Sequence, residues 1–318
     1  MSKILLTTLS DKKRFGLLKV FLISVGVVIL LISIANVSNL NLMSVFNGKV
    51  LLGFFISQVA LLLYSLRFQL VMKSTGITLK IIDALRINTL AVFYHFFTPL
   101  SMGADLTKFI KLKRNHDSAS HRITSIVFDH IVGICSLVVL STFLFFLRKP
   151  ELGKLGLRGN LSIIGVATCA LIITVIIFRK DIKNIYQKIL LSIKENWSLI
   201  FIAFCSSIIM HMTLAAGIFV GSHGIGVTIP YIDILFVLSI SMILQSVPVS
   251  ILGVGATEVA SAAIYTAIGL PVTTALLLVA LLYTYRLITS VAGGIWQLIE
   301  NNDVLSSRKR SKDVSDSP

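Results

Sequence analysis

Six apolar runs, each close to the length needed to cross a bilayer, dominate this sequence: about residues 17–35, 50–72, 123–147, 161–178, 198–220 and 272–299. A membrane-spanning helix takes about 20 mostly apolar residues, so the expected fold is an all-α polytopic membrane protein. Two further apolar stretches, 84–110 and 231–268, are long enough to span but are broken in the middle. The first break, at 98–105, holds Pro99, Ser101, Gly103 and Asp105, and the second, at 247–255, holds Pro248, Ser250, Gly253 and Gly255. Pro and Gly free backbone groups that are costly in lipid unless they face protein or water. The two breaks are therefore expected to meet and line a hydrated cavity.

Charge supports the bilayer as solvent. Only 14% of the 318 residues are charged, where a soluble domain carries about a quarter. A net charge of +15 would point to nucleic acid in a soluble protein. Here the basic residues sit in short clusters between apolar runs and read as topology signals, so no nucleic acid is expected. Cys135, Cys169 and Cys205 are dispersed in apolar stretches, which gives neither a disulfide framework nor metal spacing. The N-terminal Lys3, Lys12, Lys13, Arg14 and Lys19 precede the first apolar run, but no small-residue cleavage site follows it. A retained first span is expected rather than a signal peptide.

With six crossing helices, two re-entrant helical hairpins at the breaks and a cytoplasmic N-terminus, 22 of the 29 Lys and Arg residues fall inside and 5 outside. That bias satisfies the positive-inside rule and puts both termini in the cytoplasm. The rival with both broken segments crossing carries the 108–122 basic cluster outside and weakens the bias. The hairpins also match each other at an offset of about 150: Ile82-Asp83-Ala84-Leu85 matches Ile232-Asp233-Ile234-Leu235, and each is followed by a Pro-x-Ser break and an acidic residue. Three crossings separate the copies, so the second enters from the opposite face. An inverted-topology repeat is expected, as in many secondary transporters, with halves of about 15–155 and 156–302 in one membrane domain (1–302) and a disordered cytoplasmic tail over 303–318.

Ionisable residues inside such segments are expensive and usually functional. Asp105 and Glu258 follow the breaks and read as cavity carboxylates; Asp105 reads alternatively as a helix cap beside Lys108. Arg67 either snorkels to the surface or serves the cavity. Arg286 lies deep in the last span and needs an acidic partner, for which Glu258 is a candidate, or an anionic ligand. Asp129-His130 reads as a proton relay or as a structural pair holding Arg67 or Lys108. His95, His211 and His223 read as helix-packing histidines, and His116 and His121 as solvated. Enzyme motifs are missing: Leu100-Ser101-Met102-Gly103 is not the Gly-x-Ser-Gly of an intramembrane serine protease, and Gly103-Ala104-Asp105 is not an aspartyl-protease loop. With no zinc His-Glu-x-x-His and no phosphate-binding loop, no enzyme, metal or cofactor is expected.

Together these residues resemble the lysylphosphatidylglycerol synthase transmembrane region, the flippase-like domain of the multiple peptide resistance factor family. Arg67, Pro99, Gly103, Asp105 and Lys108 carry the first half of the resemblance; Pro248, Ser250, Gly253, Gly255, Glu258 and Arg286 carry the second. Ala104 replaces a Gly, Lys108 stands where Arg is usual, and Asp129-His130 stands for an acidic–Arg pair. The resemblance covers roughly residues 15–300 and implies a translocase of the cytoplasmic membrane of a bacterium or archaeon. It would move an anionic phospholipid or polyprenyl phosphate lipid between leaflets, with Arg67, Lys108 and Arg286 as phosphate partners. Aminoacyl transfer is not expected, because the chain ends some 18 residues after the last span. The alternatives are an accessory subunit for envelope glycolipid or polysaccharide synthesis and a small-ion or solute carrier. Oligomeric state is left open.

Single-cysteine labelling in a cysteine-free background tests the topology. Positions Asn115, Leu190 and Arg310 should be protected from an outside reagent, and Leu155 and Ile225 should react. Outside labelling at Asn115 would favour the eight-span arrangement.

Overall fold

A computed structural model describes residues 47–97, 102–112, 118–152, 182–245 and 256–315, and among these the secondary structure is helical. The helices are α1 (Gly48–Ser74), α2 (Ile81–Phe97), α3 (Met102–Lys111), α4 (Ala119–Leu152), α5 (Ile182–Glu195), α6 (Trp197–Gly224), α7 (Tyr231–Gln245), α8 (Ala256–Ala267) and α9 (Val272–Ser315). Helices α1, α4, α6 and α9 each hold a stretch long and apolar enough to cross a membrane, matching four of the six expected spans. The expected spans 17–35 and 161–178 and the junction between the expected halves lie outside the described residues. The broken segments appear as the helix pairs α2/α3 and α7/α8, each packed side by side. The connecting residues, with Pro99, Ser101, Pro248, Ser250, Gly253 and Gly255, also lie outside the described residues. Helix α9 continues to Ser315, into the segment expected to be a disordered tail, and neither Pro nor Gly interrupts it after Gly294.

Local chemistry explains the helix ends. Asn47 caps α1 by accepting the Lys49 amide at 3.0 Å, an N-cap contact that satisfies an otherwise orphaned donor. At the other end Gly76 takes φ 92°, and the Ile77 amide reaches back to the Met72 carbonyl at 2.9 Å. This is a Schellman turn, whose left-handed residue favours glycine. Helix α6 ends in the same way 150 residues later, with Gly226 at φ 77° and the Val227 amide 2.9 Å from the Ser222 carbonyl. Each turn leads into a helix that carries an aspartate in its first turn, Asp83 in α2 and Asp233 in α7.

The most extensive packing is between α1 and α6. Gly53 lies against Gly217 and Gly221, Val50 against Gly224, while Ser206 donates to the Leu63 carbonyl at 3.0 Å and Arg67 reaches Ser207. Partner numbers fall as α1 numbers rise, so the two helices run antiparallel. Lipid supplies no hydrophobic drive between helices, and small residues that let backbones approach take over that role. Helix α9 closes onto this pair: Tyr285 donates to the Val50 carbonyl at 2.7 Å, and Gln58 donates to Thr289 at 3.0 Å. Apolar clusters fill both ends, one around Phe68, Met72 and Phe128 and the other around Ile218, Val237 and Leu278.

This contact should not tolerate a single added carbon. A Cβ at Gly217 would lie 2.7 Å from the Gly53 carbonyl oxygen, and backbone cannot move aside as a side chain can. Gly217→Ala should lower stability in detergent by about 1–3 kcal/mol. Gly48→Ala, with nothing within 4 Å of the added carbon, should leave the melting temperature unchanged. Equal melting of the two variants would contradict the close packing.

Candidate functional site

Asp129 on α4 is fully buried, with 0% of its surface exposed, and it is shared by two cations. Its Oδ1 accepts from Arg67 Nε at 3.0 Å, and its Oδ2 accepts from Lys108 Nζ at 3.2 Å. Arg67 is 5% exposed and Lys108 1%. Lys108 also donates to the Tyr64 hydroxyl at 2.7 Å. Arg67 Nη1 donates to Ser207 Oγ at 3.2 Å, and Ser207 lies 2.7 Å from Ser136 Oγ. The Tyr64 ring, one turn before Arg67, lies beneath both cations, at 4.7 Å from the Arg67 guanidinium carbon and 5.0 Å from Lys108 Nζ. Gly133, one turn after Asp129, makes room for the guanidinium: a Cβ there would sit 2.7 Å from Nη1. Four helices (α1, α3, α4 and α6) are thus joined through one carboxylate. Of the two sequence readings of Asp129, the geometry is that of the structural pair, extended to both cations.

His130 leaves this cluster. Neighbouring helical residues point about 100° apart, and His130 Nε2 instead meets Asp105 Oδ1 at 2.9 Å. This pair is open, with side-chain exposures of 43% and 49%. Asp105 lies in the first turn of α3, where the helix dipole favours a carboxylate. Gly103 is buried beside it, its carbonyl accepting from Thr107 at 2.6 Å. The second hairpin repeats the arrangement. Glu258 lies in the first turn of α8, and its Oε1 is 3.6 Å from Arg286 Nη1 on the next long helix, with exposures of 19% and 24%. That separation exceeds the roughly 2.7–2.9 Å of a charge-assisted hydrogen bond, so this pair is looser than the Asp129 cluster.

The hairpins touch where they enter their breaks. Gln245, the last residue of α7, lies 3.4 Å from His95 near the end of α2, and the two positions are 150 apart. His95 is within electrostatic range of both Arg286 and Asp105. Its neighbour Phe96 packs edge-on to Tyr283 at 5.2 Å and lies 6.0 Å from the Arg286 guanidinium. His95 and Phe96 therefore sit between the ion pair of one hairpin and that of the other. The sequence reading passed over His95 as packing, although the repeat offset pairs it with Gln245. It also missed Tyr64, Ser136 and Ser207, for which isolated polar residues in spans give no distinguishing signal. His121, expected to be solvated, is instead half-buried, with Nε2 2.6 Å from the Thr75 carbonyl oxygen. That carbonyl lies at the open end of α1, where a basic residue is favoured. His223 does pack within its own helix, at 2.8 Å from the Phe219 carbonyl. Among the described residues no group of His, Cys, Asp or Glu could hold a metal ion.

Breaking a buried ion pair from one side costs about 3–5 kcal/mol, whereas exposed pairs contribute about 0–1 kcal/mol. Asp129→Asn should therefore melt far below wild type in detergent, because it strands two buried cations. Asp105→Asn should melt close to wild type. Similar melting of both variants would contradict a structural role for the Asp129 cluster.

The family described as lysylphosphatidylglycerol synthase TM region matches residues 17–294. No curated protein and no solved structure matches the chain. The match takes in the Asp129 cluster, the Asp105–His130 and Glu258–Arg286 pairs and both helix pairs. The chain is a multi-pass membrane protein and belongs to the lysylphosphatidylglycerol synthase TM region family.

Proposed function

We propose that this protein moves an anionic lipid, a phospholipid or a polyprenyl phosphate lipid, between leaflets along a polar route where its two hairpins meet. The observation that carries the reading is the pair of open carboxylate–base contacts, Asp105–His130 and Glu258–Arg286, one on each hairpin. Charged groups within membrane segments are retained where they serve a pathway, and these two pairs are only partly covered by protein. The antiparallel α1/α6 pair and the matching turns 150 residues apart support an inverted-topology repeat. That architecture places a binding site at the interface of the repeats.

Arg67 and Lys108 are committed to Asp129, so Arg286 is the cation on which the proposal rests most heavily. Its guanidinium would hold the headgroup phosphate while the tails remain in the bilayer. Arg presents a planar fork of donors matched to phosphate. The lipid gradient or a coupled ion would drive movement, with Asp105 or Glu258 as the coupling carboxylate. The protein would lie in the cytoplasmic membrane with both termini in the cytoplasm and the basic loops on that side.

Purified protein in liposomes carrying fluorescent phosphatidylglycerol in the inner leaflet should expose it to a membrane-impermeant quencher. Arg286→Ala should lose that activity, roughly tenfold or more, at normal insertion levels, and Arg286→Lys should recover only part. Wild-type activity from Arg286→Ala would remove the headgroup role. No lipid movement by wild type with either a phospholipid or a polyprenyl phosphate would replace the translocase reading with the accessory one.

A further inference from the structure

We propose that α5 is an amphipathic helix lying in the headgroup layer, where it binds anionic lipid. This surface is separate from the ion pairs and independent of whether lipid is translocated. At 14 residues α5 is too short to span, and a bend at Asn196 separates it from α6. It divides into three faces. Ile189 and Ser192 are buried against the protein; Ser192 donates to the Ser74 carbonyl at 2.8 Å and Asn196 to the same carbonyl at 3.2 Å. These bonds tie α5 to the end of α1. Tyr186, Leu190 and Ile193, spaced i, i+4 and i+7, form an exposed apolar stripe, and the opposite side exposes Gln187, Lys188, Lys194 and Glu195 with Leu191 among them.

A continuous apolar stripe beside exposed charge cannot lie in hydrocarbon, nor is it stable facing water; the interface accommodates both. Two observations name the occupant. The stripe continues into the lipid-facing side of α6, which opens with Trp197, 64% exposed, followed by Phe201, and indole is a residue of the membrane interface. Around the Ser74 anchor the exposed charges are mostly basic: Lys73 on α1 with Lys188 and Lys194 on α5. Such a cluster attracts anionic headgroups over zwitterionic ones.

The chain has two tryptophans, so Trp296→Phe leaves Trp197 as the sole indole reporter. This full-length variant is placed in vesicles of phosphatidylcholine and phosphatidylglycerol, with brominated chains carried on one lipid or the other. Trp197 should be quenched by bromine in both cases, and roughly twofold more when bromine is on phosphatidylglycerol. Adding Lys73→Gln, Lys188→Gln and Lys194→Gln should equalise the two while keeping the quenching. Equal quenching before those substitutions would overturn the anionic preference. Quenching by aqueous iodide in place of bromolipid would overturn the interfacial placement altogether.

Discussion

Taking a charge out of water costs several kcal/mol even after the protein relaxes, and Asp129, Arg67 and Lys108 are all taken out together. Their stability rests on geometry: each carboxylate oxygen has its own cation, Lys108 has a second acceptor in Tyr64, and Arg67 a second in Ser207. Much of the hairpin's position depends on this arrangement. Helix α3 has 10 residues and exposes Leu106 and Ile110 on its outer side, while Phe109 and the following Leu112 pack inward against the cluster around Phe68 and Met72. Its polar anchors are Lys108 and the Arg122–Phe109 contact, in which the guanidinium donates to the Phe109 carbonyl at 2.8 Å. The Asp129 cluster thereby fixes where α3 returns and hence where Asp105 stands.

A second constraint fixes the other hairpin. The Gly and Ser contacts between α1 and α6 set an antiparallel pair at close approach, and Tyr285 can reach the Val50 carbonyl only because Gly53 and Gly221 leave room for its ring and hydroxyl. Helix α9 is thereby registered along α1, which places Arg286 one residue beyond that anchor. Gly293 and Gly294 further along α9 let it close on Thr89 and Phe93 of α2. The two ion pairs flanking His95 are thus set by different means, one by a buried carboxylate and one by glycine packing. Between them the helix pairs touch at His95 and Gln245, 3.4 Å apart.

Much of this was legible in the sequence. Long apolar runs declare themselves by composition, so the spans now seen as α1, α4, α6 and α9 could be read directly, as could the hairpin halves flanking each break. Glu258 and Arg286 could be matched because each is an isolated charge in an apolar stretch that needs a partner. The Asp129 cluster was harder. Sequence adjacency groups Asp129 with His130, whereas helical geometry sends them to different partners. The sequence offered Asp129-His130 as a holder of Arg67 or of Lys108 but not of both at once, because the three charges lie on three helices and no spacing rule links residues 62 and 21 positions apart. Serine and tyrosine give still less signal, since several serines in these helices bond their own preceding turn, as Ser57 and Ser65 do.

Burial then separates the Asp129 cluster from the Glu258–Arg286 pair by what each could do under the proposed function. A phosphate that drew Arg67 from Asp129 would leave a fully buried carboxylate against Lys108 alone and would loosen four helices at once. A phosphate that drew Arg286 from Glu258 disturbs a pair already partly open and long at 3.6 Å. The headgroup would then stand where Glu258 stood opposite the guanidinium, and the carboxylate would take its place back when the lipid leaves. Of the three basic residues, Arg286 is therefore the one that could exchange its carboxylate for a phosphate without loosening the helices joined at Asp129.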